Sequence, residues 1–280
     1  MIVQHNMTSL NANRQLGITN KLLATSTEKL SSGYRVNRAA DDAAGLSISE
    51  KMRGQIRGLN QASANAQDGQ SLIQTAEGAL GEIHSVIQRM RELTVQASTD
   101  TNVSADRNAI SLELSALQAE INRIASQTEF NTMTLLNGDF KEKNLQVGAN
   151  TNQLISITIK AMDTSALGLM KLDGKDSISS GVKTGTSKSI TKLISTVNQA
   201  LSLVSLQRSK LGALQNRLDH TIANADNMAE NLQASESKIR DVDMAKEMVT
   251  YSAKSILQQA GQSMLAQANQ ATQGVLSLLR

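Results

Sequence analysis

The side chains able to do chemistry are few in this chain, and they are scattered. Its three histidines, His5, His84 and His220, lie in separate segments at no ligand spacing, and no His-Glu-x-x-His run occurs. With no cysteine there is neither a thiol nucleophile nor a thiolate metal site. No Gly-x-Ser-x-Gly elbow, phosphate loop or dinucleotide fingerprint is present, so no cofactor is expected. The paired acids Asp41-Asp42 and Asp241/Asp243 each sit beside a helix start, where a carboxylate caps exposed amide N–H groups. Met264 and the other methionines fall at helical spacing and read as packing residues. These side chains predict no catalytic site and no metal site.

What they lack, the elements around them supply in another form. From Ile190 apolar residues recur at alternating steps of four and three: Ile190, Ile194, Val197, Leu201, Val204, Leu211, Leu218, Ile222, Ala225, Ala229, Leu232 and Ile239. Only Arg208, Gln215 and Glu236 interrupt the row. So narrow a stripe makes no core alone and must lie against another long helix, in this chain or in a copy of it. An assembling rod follows more readily than an enzyme.

Composition agrees. The chain has 280 residues without Pro, Cys or Trp and with 1% aromatics, so very long helices with thin aliphatic seams are permitted. A net charge of +3, without a Lys/Arg cluster or interleaved aromatics, gives no reason to expect nucleic acid. No apolar run is long enough to span a membrane, and the first ten residues are too polar for a signal-peptide core. The chain is expected in the cytoplasm or exported by a route that needs no cleaved apolar signal.

The fold class is mainly α, a long antiparallel helical bundle or coiled coil with a small β-hairpin region. Residues 1–35 read as a weak helix in which Val3, Met7 and Leu10 share a face and Leu16, Leu23 and Leu30 repeat by sevens; Ser31-Ser32-Gly33 ends it. A helix from Asp41-Asp42 to about Thr99 follows. Its Gly54, Gly58, Gly69, Gly78 and Gly81 are expected to allow close helix approach. Another helix starts at Ser104. Leu145 and Val147, then Ile155, Ile157 and Ile159, alternate with polar residues and predict a hairpin. Residues 163–189, rich in Ser, Gly, Thr and Lys, read as irregular surface structure. A last helix after Arg240 carries Met248, Val249, Ile256, Leu257, Ala260, Met264, Val275 and Leu278. The end helices are expected to pair with each other.

Several long stretches then narrow the reading. Leu30-Ser-Ser-Gly-Tyr-Arg-Val-Asn-Arg-Ala-Ala-Asp-Asp-Ala-Ala-Gly-Leu-Ser-Ile-Ser49, Gln127-Thr-Glu-Phe-Asn131, Leu135-Leu-Asn-Gly138 and Ser263-Met-Leu-Ala-Gln-Ala-Asn-Gln270 with Gly274-Val-Leu-Ser-Leu-Leu279 strongly resemble bacterial flagellins in a minimal form without large outer domains. The resemblance covers roughly residues 1–160 and 190–280. It implies a self-assembling filament subunit with no enzymatic activity, located outside the cell in the flagellum. It divides the chain into a terminal coiled-coil domain (1–40 and 240–280, an inner tube, disordered in the monomer), a helical bundle domain (41–137 and 190–239) and a hairpin and irregular tip (138–189). The implied polymerisation seam is Val3, Met7, Leu10, Leu16, Leu23, Leu30, Ile256, Ala260, Met264, Val275 and Leu278. Implied partners are other copies of the chain, an export chaperone, the filament cap and hook junction proteins. Gln88-Arg-Met-Arg-Glu-Leu-Thr-Val-Gln96 is similar to the family's motif for an innate immune receptor of the Toll-like class. It carries over Arg89 and Leu93, with Glu113 on the next helix. A hook–filament junction protein is the alternative from the same structural class.

Overall fold

A computed structural model describes the backbone of residues 6–170, 177–184 and 187–278, and the side chains of 6–170, 177–184 and 189–270. In chain order the elements are α1 (Met7–Ser32), α2 (Ala43–Ala97), α3 (Ser104–Gln127), β1 (Glu129–Phe130), β2 (Met133–Thr134), β3 (Lys143–Gln146), β4 (Leu154–Ile157), α4 (Ile178–Thr184), α5 (Ser187–Arg240) and α6 (Met244–Leu278). They form two compact units, Met1–Ile56 with Glu230–Arg280, and Arg57–Ala229.

In the Arg57–Ala229 unit α2, α3 and α5 share one core. Every seventh residue of α5, Ile190, Val197, Val204, Leu211 and Leu218, is fully buried against Ile73, Leu80, Ile83, Ile87 and Met90 of α2 and Leu114 and Ile121 of α3. The alternate positions Ile194, Leu201 and Ile222 are half-buried. The interruption at Arg208 is a bridge, its guanidinium lying 3.5 Å from the Glu77 carboxylate of α2.

The β3–β4 hairpin pairs antiparallel with Leu145 opposite Ile155 and Gln146 opposite Leu154. Ile155 and Ile157 point into the core, and Leu154 and Ser156 point out, as the alternation predicts. Val147 lies just past β3, but its N–H still reaches the Gln153 carbonyl at 3.0 Å. Two glycines of α2 seat this hairpin. A Cβ on Gly69 would meet a Leu145 methyl at 2.5 Å, and one on Gly58 would meet the Ala149 methyl at 2.9 Å. Gly54, Gly78 and Gly81 face open space, so none of the five glycines meets another helix; the close approach at Gly58 and Gly69 is made by the hairpin instead.

The expectation of irregular surface over 163–189 is corrected where the structure describes it, residues 171–176 and 185–186 lying outside the described residues. Leu167, Leu169, Ile178 and Val182 are buried in the same core, and 178–184 is helix α4. Polar pairs hold the segment on α3. The Ser111 hydroxyl donates to the Ser179 carbonyl at 2.8 Å, and the Gln118 amide donates to the Leu169 carbonyl at 3.0 Å. Four apolar residues spread through Ser, Gly and Lys carry no periodicity, which is why the pattern concealed them. A second hairpin, β1–β2, has no counterpart in the sequence pattern. Its turn, Asn131-Thr132, has positive φ at both residues (49° and 63°), the requirement of a tight two-residue loop, and its strands are two residues long.

Candidate assembly and recognition surfaces

α1 starts where the Asn6 side chain accepts from the Ser9 N–H at 3.1 Å, and it ends at Gly33 in the left-handed region (φ 76°). It lies antiparallel to α6. Ser9 Oγ donates to Asn269 Oδ1 at 2.7 Å, Gln258 Nε2 to Asn20 Oδ1 at 2.9 Å, and Lys254 Nζ to the buried Ser26 Oγ at 2.7 Å. Leu16 packs over Gly261, where a Cβ would sit 3.3 Å from its methyl. α6 therefore shows α1 a row of mostly polar and small residues, Tyr251, Lys254, Ser255, Gln258, Gly261, Leu265 and Ala268, all half-buried.

The apolar residues of α6 face elsewhere. Ile256 is 65% exposed, Leu257 61%, and Met248, Val249 and Met264 are exposed as well. On α1, Met7, Leu10, Ile18 and Leu22 are exposed. Of the expected seam, Leu16, Leu23 and Leu30 are half-buried, while Met7, Leu10, Ile256, Ala260 and Met264 face solvent. Val3 and the side chains of Val275 and Leu278 lie outside the described residues. Apolar stripes of this size on a helix pair are surfaces awaiting a partner.

The helix breaks beside this pair are stitched together. The Arg35 N–H donates to the Arg240 carbonyl at 2.7 Å and the Val242 N–H to the Gly33 carbonyl at 3.0 Å, a short antiparallel bridge centred on Tyr34 and Asp241. The Arg240 guanidinium stands 4.6 Å over the Tyr34 ring and 3.1 Å from the Glu50 carboxylate. Asp41 Oδ2 accepts from the Arg38 and Asn37 N–H groups at 2.9 and 3.1 Å, and these bonds, Arg38's first, hold its carboxyl below the usual carboxylate range. A carboxylate of lowered pKa stabilises the fold above its unfolded value and loses that contribution as pH falls through the folded one. Acidification past that range therefore loosens the Asn37–Asp41 turn. Asp42 and Asp243 cap α2 and α6, accepting from the Gly45 and Lys246 N–H groups as their positions predict. Arg240→Ala removes the ring contact and the Glu50 pair, together about 1–2 kcal/mol. Amide exchange at Arg35 and Val242 is expected to rise about tenfold, whereas Tyr34→Leu gives a smaller rise. Unchanged exchange in Arg240→Ala would show that the guanidinium is a bystander.

In the other unit, Arg89 on α2 donates to Glu113 of α3 at 2.9 Å and to Glu92 at 3.1 Å. These carboxylates, Glu113 first, raise the guanidinium's pKa further. All three side chains are exposed, so the pairs contribute little to stability and remain open to exchange for another partner. Leu93 departs from the expectation of a contact residue. It is 2% exposed and belongs to the bundle core, supporting the surface from beneath. Exposed neighbours that the motif reading did not single out are Arg91 and Val95. No cluster of three metal-ligating side chains occurs among the described residues, and no described helix is long and apolar enough to cross a membrane.

The sequence that builds these helices matches known proteins along its length. Residues 3–141 match the bacterial flagellin N-terminal helical region and residues 194–279 the bacterial flagellin C-terminal helical region. A flagellin of Halalkalibacterium halodurans is 53% identical over 282 residues, covering 100% of both chains. The chain belongs to the bacterial flagellin family. A flagellar filament 33 kDa core protein of Treponema phagedenis is 50% identical over 290 residues, again covering 100% of both. The crystal structure of Bacillus cereus FlgL aligns with a TM-score of 0.53 at 16% identity over 67% of this chain and 99% of that one, a likeness of fold. Flagellins are structural subunits of the flagellar filament, and this chain is a structural protein, not an enzyme. Full coverage of both chains in an alignment of 282 residues fits the minimal form, without large outer domains.

Proposed function

We propose that the chain leaves the cell by the flagellar export route and polymerises there through the outward faces of α1 and α6. The observation that carries this is the exposed apolar stripe Met248, Val249, Ile256, Leu257 and Met264, which α1 leaves uncovered. Copies packed side by side bury it, with Met7, Leu10, Ile18 and Leu22 of neighbouring α1 helices as partners of the same character. A subunit offering two different surfaces grows by open helical propagation. The terminal pair is marginal in the free chain, since its inner face is largely polar, and it is completed by assembly. Before export, a chaperone covers the stripe; at the growing end, cap and hook junction proteins meet it. Purified chain added to filament seeds and imaged by electron microscopy tests this. Elongation is the expected result, and persistent monomers would refute it.

A second role rests on the exposed Arg89, Glu92 and Glu113 cluster, as a ligand for a Toll-like receptor. An exposed Arg held between two carboxylates, free of desolvation cost, is a suitable anchor for a partner surface. Arg89→Ala and Glu113→Ala are each expected to lower receptor activation roughly tenfold, on the scale of about 1–2 kcal/mol for such anchors. Leu93→Ala acts instead by unsettling the bundle and lowers its melting temperature. Full activation by both surface variants would remove this role.

A further inference from the structure

All the sulfur in this chain is thioether. It has 11 methionines and no cysteine or tryptophan, so a mild oxidant meets thioethers first. Their placement sorts them. Met90 and Met162 are buried in the bundle core. Among the described residues six methionines are exposed, and four of these, Met7, Met244, Met248 and Met264, stand on the terminal helices α1 and α6. Met264 is 61% exposed and Met248 52%, in the stripe with Val249 and Leu257 that α1 leaves uncovered.

In the free chain each of these four sulfurs is open to attack, and each lies on a helix that copies would cover. A thioether makes an apolar contact. Its sulfoxide is polar and chiral, and burying that oxygen without a donor costs free energy. Oxygen on sulfur therefore turns a packing surface into one that resists packing. It leaves alone the α1–α6 contacts through Lys254, Gln258 and Gly261, and it leaves alone the bundle core.

We propose that Met7, Met244, Met248 and Met264 are a redox modification site that gates assembly. This rests on the filament reading and names a regulation of that same surface. The oxidant is a peroxide. The thioether sulfur gives an electron pair to one peroxide oxygen as the O–O bond breaks and an S–O bond forms. The hydroxyl now on sulfur passes its proton to the departing hydroxide, which leaves as water. Sulfur has lost two electrons and the peroxide has gained them. Two thiols reverse the step: they supply two electrons and two protons, become a disulfide, and the sulfoxide oxygen leaves as water. A chain oxidised before it assembles is held out of the filament until it is reduced.

Full-length monomer is treated with hydrogen peroxide, freed of it with catalase, mapped by peptide mass spectrometry and offered to untreated wild-type seeds. Sulfoxide is expected at the four terminal-helix methionines about tenfold faster than at Met90 and Met162. The concentration needed for growth is expected to rise about a hundredfold, roughly tenfold for each of Met248 and Met264. Methionine sulfoxide reductases of both epimer classes, with a dithiol, are expected to restore growth. Met7→Leu, Met244→Leu, Met248→Leu and Met264→Leu combined in one chain conserve volume, and this chain is expected to grow after peroxide as it does before. Normal growth of wild-type chain carrying the four sulfoxides overturns the proposal. So does a leucine variant that peroxide blocks as fully as wild type, since the block then lies at other residues. Should that variant fail to elongate seeds when untreated, Met133→Leu with Met228→Leu gives the converse readout: peroxide must still block it, and growth after treatment overturns the proposal. Untreated wild-type chain that never elongates sinks the filament reading and this gate together. Growth indifferent to peroxide sinks the gate alone.

Discussion

Chains lacking residues 1–40, or lacking residues 240–280, are expected to remain soluble and helical but to elongate no filament, even at concentrations about a thousandfold above those that suffice for the full chain. The bundle core accounts for the first half of this result. Ile73, Leu80, Ile83, Ile87, Leu114, Val197, Val204 and Leu211 all lie in the Arg57–Ala229 unit and keep their partners when the ends are removed. The exposed stripes account for the second. Met7, Leu10, Ile18 and Leu22 are lost with the first helix. Burying each fully is worth about 1.5–3 kcal/mol, an upper figure for surfaces that are only partly covered on assembly. Half of that total, about 3–6 kcal/mol, is of the size of the ~4 kcal/mol that corresponds to a thousandfold change. Circular dichroism melting shows whether the bundle survives, and sedimentation of the polymer shows whether growth does. Filaments of ordinary length from either truncate would refute the account.

Ile256→Asp with Leu257→Asp acts through the same stripe with a smaller perturbation. Both side chains point away from α1, so the α1–α6 pairing through Lys254, Gln258 and Gly261 is left in place. The expected change is a rise of more than a hundredfold in the concentration needed for growth. Two apolar contacts are lost at about 1.5–3 kcal/mol each, and two carboxylates resist desolvation. The melting of the Arg57–Ala229 unit is expected to be unchanged. Polymerisation at wild-type concentrations would mean that this face of α6 stays wet in the filament.

How far the sequence carried differs from element to element, for physical reasons. The α5 stripe was legible because a heptad row is a local repeat and its burial follows from geometry alone. The β3–β4 hairpin was legible from period-two alternation. The terminal pair was only half legible. Apolar spacing marked Ile256, Ala260 and Met264, yet the side that meets α1 is the row Tyr251, Lys254, Gln258, Gly261 and Leu265. That choice is made by cross-helix pairs such as Lys254 with Ser26, which hydrophobic periodicity does not encode. Arg89 and Glu113 were readable as a pair through the family resemblance, whereas the burial of Leu93 depended on which side of α2 faces α3 and α5. The Arg240–Tyr34 contact went unread because it joins residues 206 positions apart (240 − 34).

Hydrogen–deuterium exchange on the same chain, as dilute monomer and as filament, bears most directly on the central claim that copies of the chain complete the terminal helix pair. Residues 7–32 and 244–270 are expected to exchange quickly in the monomer and slowly in the filament, with the buried positions of α2 and α5 slow in both. Terminal helices as protected in the lone molecule as in the polymer would contradict it, because nothing would then remain for neighbouring copies to bury.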